Sequence, residues 1–150
     1  MSLQERAREL SVEALHAAMR NDWDAAAAAM QALSNETGGP GIRFALTAFC
    51  DWLITAQNRV QGKPDFDAPG IVRPAWLNAE TGQVDTSAGD VPPAARWAGQ
   101  LAVARAAMDK PAFDALLASM PEDGLERGRY AAALLEGCAA SVNALQEGAP

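Results

Sequence analysis

At 150 residues, 49% apolar and 21% charged, the chain is long enough for one domain with its own core, since folding at that size buries roughly 70% of the surface that the unfolded chain exposes. Its net charge of -7 and sequence pI near 4.6, with the basic residues scattered, work against a nucleic-acid partner and an anionic membrane surface, because phosphates are bound by a basic stripe that releases counterions. No apolar run approaches the roughly 20 residues of a membrane-spanning helix, and residues 1–10 are charged and amphipathic with no hydrophobic signal core, so a cytoplasmic address is expected.

The first helix is predicted over residues 2–20. Leu3, Ala7, Leu10, Ala14 and Ala18 form one apolar row, and Val12, Leu15 and Met19 form a second beside it. Asn21-Asp22 offers an N-cap for a second helix over 23–33, which Ser34-Asn35 and the Gly38-Gly39-Pro40-Gly41 cluster should end. The third, over 41–59, is the most apolar in the chain, with Ile42, Leu46, Phe49 and Leu53 on one side and Phe44, Ala48 and Trp52 on the next.

Residues 60–93 break the helical pattern. Gly62, Pro64, Pro69, Gly70, Pro74, Gly82, Gly89, Pro92 and Pro93 are too dense a set of breakers for a helix interior. Within this connector, the residues either side of Glu80-Thr81-Gly82 read as a small β-hairpin, and Trp76 reads as the anchor that ties the segment to the helices. Helices resume over 94–108, with Trp97, Leu101 and Ala104 on one face, and over 110–120, opened by Lys110-Pro111. The last helix, over 125–145, carries Ala133, Gly137 and Ser141 at every fourth position. Glycine costs about 1 kcal/mol against alanine inside a helix, so Gly137 suggests that a neighbouring backbone approaches closely there.

One phrase occurs twice. Trp23-Asp24 followed by a small-residue run to Met30 returns as Phe113-Asp114 followed by a run to Met120. The fold expected from this is all-α: a single-domain six-helix bundle of two pseudo-equivalent three-helix units, 2–59 and 94–146, joined by the irregular connector. The alternation of small and aromatic residues resembles the packing style of tetratricopeptide-like helical hairpins, but that family's Trp, Leu-Gly and Tyr positions do not recur at a fixed period, and no family follows from it.

Candidate chemistry is sparse. His16 is the one histidine and Cys50 and Cys138 lie far from it in sequence, so no metal site is expected. Neighbouring Cys50 and Asp51 point about 100° apart on a helix, which does not build a Cys-His-Asp nucleophile with His16. Two cysteines in apolar helical stretches read as buried, reduced thiols. Asp51, inside the most apolar helix, reads as a residue on the exposed edge, or one accepting a hydrogen bond from Arg43 or a tryptophan N–H, in preference to a cleft carboxylate with a shifted pKa. No Walker-type or GxGxxG phosphate loop occurs. No catalytic, cofactor or metal residue is therefore assigned. The expected function is a non-catalytic interaction, regulatory or assembly module, its partner protein unidentified, with a homodimer through the last helix as one arrangement. The alternative is a ligand-binding protein or small enzyme with a pocket between the units. Trp23, Asp51, Trp52, Trp76, Trp97 and Gly137 are the candidate pocket or interface residues.

Overall fold

Ser2 opens the first helix, its hydroxyl accepting from the Glu5 backbone N–H at 3.1 Å and so satisfying one of the donors that a helix start leaves unpaired. The structure is a computed structural model that describes residues 2–60 and 93–147. Over these residues it is all-α, with α1 at Leu3–Met19, α2 at Trp23–Val60, α3 at Pro93–Ala106, α4 at Lys110–Ala118 and α5 at Gly124–Glu147.

The described residues thus form five helices where six were expected. The second and third expected helices are one element, α2, and the break foreseen over 34–41 contracts to a kink at Gly38, whose φ of 67° and ψ of -157° lie outside the helical range. Glycine takes that conformation without a Cβ clash. Pro40 then removes one backbone donor and starts the second arm at its fixed φ. Thr37, just before the kink, is buried and donates its hydroxyl to the Leu33 carbonyl one turn back at 2.6 Å. A Cβ on Gly41 would fall 1.6 Å from that hydroxyl oxygen, so only glycine fits at 41. The expected hairpin lies outside the described residues.

α1 and the first arm of α2 form an antiparallel hairpin. Arg6, near the start of α1, reaches Glu36, near the end of that arm, with two hydrogen bonds of 2.9 and 3.0 Å. α1 buries Ala7, Leu10, Ser11, Ala14, Leu15, Ala17 and Ala18, while Leu3, expected in the same row, is 66% exposed at the helix start. α5 packs on α1, α2 and α3, and α4 is attached chiefly through α3. One core runs through the elements, with Leu33, Leu46, Phe49, Leu101, Leu134 and Cys138 among its least exposed members. Buried alanines on α1, α2, α3 and α5 let these helices approach closely.

The two aromatic-Asp phrases are not equivalent in space. Trp23 is the first residue of α2 and only partly buried, whereas Phe113 is the fourth of α4 and 5% exposed. Asp24 lies in a first helical turn; Asp114 lies one turn further in. The phrases match in residue type but start at different distances from the helix caps, so they face different neighbours, and a duplicated pair of three-helix units does not follow from them.

Candidate functional site

Asp51 and Arg105 join α2 to α3. The carboxylate accepts from Arg105 Nε at 2.8 Å and Nη2 at 3.2 Å, and the guanidinium also lies over the Phe113 ring, 5.9 Å from its centroid. Asp51 is partly exposed at a helix edge and its partner is Arg105. Arg43, one of the donors expected from sequence, instead donates to Asp114, which also accepts from Lys110 at 3.1 Å.

The other candidate residues are engaged separately. Trp23 donates its indole N–H to the Asn21 side chain at 2.9 Å. Trp52 packs against Phe49 with ring centroids 5.9 Å apart. Trp97 is 4% exposed, donates to the Leu116 carbonyl at 2.8 Å and lies 5.3 Å from the Tyr130 ring. Gly137 faces α2, where an added Cβ would sit 3.5 Å from Leu53 Cδ1, an ordinary contact. Its neighbour is a side chain of the same chain, and no close backbone approach explains the glycine. Trp76 lies outside the described residues.

Two surface depressions flank α3. One, about 450 Å³, lies between α3, α4 and α5 and is lined by Pro93, Arg96, Trp97, Gln100, Leu116, Ser119 and Tyr130. The second, about 350 Å³, lies between α3 and α4 over Gln100, Val103, Ala104, Ala107, Asp109, Ala112 and Leu116. Gln100 and Leu116 line both, so the two continue into one shallow trough along α3. Of Trp23, Asp51, Trp52 and Trp97, only Trp97 lines it. Beside its α3–α4 half stand two exposed apolar side chains, Val103 at 44% and Met108 at 88%.

Among the described residues, both thiols and two carboxylates are held away from their ordinary titration ranges. Cys50 and Cys138 are free, fully buried thiols. Burial pushes both up to about 12, and for Cys50 the Asp51 charge and the Cys138 thiol add to that while Arg105 opposes it. A thiol that stays protonated and inaccessible is not a nucleophile at neutral pH. Hydrogen bonds from Arg43, then Lys110, hold the Asp114 carboxyl below the ordinary carboxylate range, and the bond from Arg6 does the same for Glu36. Carboxylates held ionised in this way are weak bases and unavailable as acids. Among the described residues no three His, Cys, Asp or Glu side chains gather as metal ligands, and no helix is long and apolar enough to cross a membrane.

No protein family, curated protein or solved structure matches this chain. The exposed apolar corner of α3 and α4 went unread in the sequence. Its signal was there: from Leu101 to Met108 only Arg105 is polar, so a helix over that stretch must turn an apolar side to water whichever face it buries.

Proposed function

We propose that this chain is a non-catalytic protein–protein interaction module whose contact surface is the α3–α4 corner. The observation that carries this reading is the exposure of Val103 in the groove it lines with Ala104, Ala107, Ala112 and Leu116, with exposed Met108 between the groove residues Ala107 and Asp109 in the chain. Isolated apolar residues on a surface need no explanation, but a contiguous set over a groove is a common feature of contact sites. The engagement of Glu36, Asp51 and Asp114 in ion pairs and the burial of both thiols support the non-catalytic half of the reading. With a net charge of -7, the chain favours a neutral or basic partner that offers aliphatic side chains to the groove.

The test compares wild type with Val103→Glu, a substitution on an exposed position that leaves the core intact. Both are used as bait in the native cytosol, and each protein retained by wild type but lost from the variant is purified and titrated directly. The proposal expects at least one such protein, with affinity falling at least about tenfold in Val103→Glu, the effect of about 1.4 kcal/mol of lost contact. Equal retention of every bound protein by the two baits overturns it. A ligand-binding alternative would instead use the Trp97–Tyr130 end of the trough, and its signature would be a small molecule whose binding is lost in Tyr130→Ala and kept in Val103→Glu.

A further inference from the structure

We propose that Met108 is a modification site for peroxide-class oxidants, its thioether taking up oxygen ahead of the other described methionines and of both cysteines. Oxidation of sulfur requires direct approach of the oxidant, so exposure and thiolate character set the order of attack. Met108 is 88% exposed, whereas Met19, Met30 and Met120 are partly buried and packed against the core. Cys50 and Cys138, normally the more reactive sulfurs, are fully buried. The chain therefore presents its most accessible described sulfur as a thioether.

The backbone holds this side chain outward. Met108 sits in the left-handed region, φ 57°, at the corner between α3 and α4. Its N–H donates to the Arg105 carbonyl at 3.0 Å, and the next N–H, of Asp109, donates to the Ala104 carbonyl at 2.9 Å. These bonds fix the turn without using the side chain, so a polar oxygen on the sulfur meets water and displaces no core contact.

The step balances with hydrogen peroxide as the oxidant. A sulfur lone pair attacks one peroxide oxygen, the O–O bond breaks, and the departing hydroxide takes the proton left on the new S–O group. The products are methionine sulfoxide and water; the thioether loses two electrons and the peroxide gains them.

The experiment exposes the folded full-length protein to limiting hydrogen peroxide and follows each peptide by mass spectrometry over time. Met108 is expected to gain oxygen at least about tenfold faster than Met19, Met30 or Met120, with both cysteines unmodified. Met1, outside the described residues, is read separately in the same map. The singly oxidised Met108 protein should keep the circular dichroism and melting temperature of the untreated one, and Met108→Leu should lack the fast phase. Oxidation of Met19, Met30, Met120 or either cysteine at a rate equal to that of Met108 overturns the proposal, as does a loss of fold on oxidation at Met108.

Discussion

Asn21 and Met108 occupy the same step of two separately built helix joints, with φ of 61° and 57°. In each, the left-handed residue donates to the carbonyl three back, Ala18 or Arg105, and the following aspartate donates to the carbonyl five back, Ala17 or Ala104. That aspartate then caps the next helix: Asp22 accepts from the Ala25 N–H and Asp109 from the Ala112 N–H, both at 3.1 Å. One set of bonds thus closes the carbonyl end of one helix and opens the next within three residues. The two joints differ in the quality of the left-handed residue. Asn21 suits the conformation and its side chain accepts from Trp23, whereas Met108 has the ordinary Cβ penalty.

Met108→Asn should therefore stabilise the protein, by about 0.5–1 kcal/mol, since the strain falls and no buried contact is lost. Asp22→Ala and Asp109→Ala should each cost about 1 kcal/mol, and their effects should add because the joints share no partner. Urea midpoints of the three single variants and the double aspartate variant decide the matter; a lower midpoint for Met108→Asn would contradict the strain argument.

Both buried thiols predict an alkaline weakness. Their pKa values rise on folding from 9.0 to about 12, so the folded state holds its protons where the unfolded state has released them. The contribution is complete below pH 9 and is lost as pH rises towards 12, with a slope for each thiol of about 1.4 kcal/mol per pH unit. Folding free energy measured between pH 8 and pH 11 should fall less steeply in Cys138→Ala than in wild type, once the cost of the cavity at pH 8 is subtracted. Parallel curves would place the thiols in a wetter environment than the one described.

The Arg43–Asp114 pair predicts the opposite behaviour in acid. Because its partners hold the Asp114 carboxyl below its ordinary range, the contribution is present above that range and disappears as pH falls through it. Both side chains are substantially exposed, so salt screening keeps the effect small. The pair joins α4 to α2, so the readout is local: amide exchange in α4 relative to α5 should accelerate on acidification, and Arg43→Gln should show that acceleration already at neutral pH. Exchange that rises equally in both helices would remove the pair from any role in docking α4.

Helix content and most helix ends were legible because they rest on local chemistry. The Asn21-Asp22 cap, Lys110-Pro111 at the start of α4 and the apolar row of Leu46, Phe49 and Leu53 each act within a turn or two. The merger of two expected helices was less so, since the Gly38-Gly39-Pro40-Gly41 cluster signals a break without telling how few residues the break needs. What keeps the break short is the close approach of Gly41 to the Thr37 hydroxyl across the kink, a contact that exists only once both arms have formed. Partner choice was illegible for a different reason. Arg43 lies eight residues before Asp51 on one helix, roughly 12 Å along its axis, and Arg105 comes near only because α3 packs on α2. The joints repeat at a spacing of 87 residues, while the phrase in the sequence repeats at 90. Residue-type similarity therefore aligned Trp23 with Phe113, although in the fold the position matching Phe113 is Ala26, three residues further into its helix.

Gly137 gives the most direct test of how α5 packs. Its Cα faces Leu53 with room for one carbon, because an added Cβ would meet Leu53 Cδ1 at 3.5 Å. Gly137→Ala should then be stabilising, by up to about 1 kcal/mol, from the better helix propensity of alanine. Leucine at the same place has no such room. It must displace Leu53, which is 6% exposed and belongs to the core, and overpacking of that kind costs about 1–3 kcal/mol. Since Leu53 is in the same chain, the loss should appear as a lower melting temperature in a species whose sedimentation is unchanged. A variant that instead shifts towards a smaller species, with stability that now depends less on concentration, would show that this face of α5 meets a second copy. The two substitutions are informative together: if alanine and leucine both destabilise, the space beside Gly137 is already filled, and the packing of α5 on α2 is tighter than described.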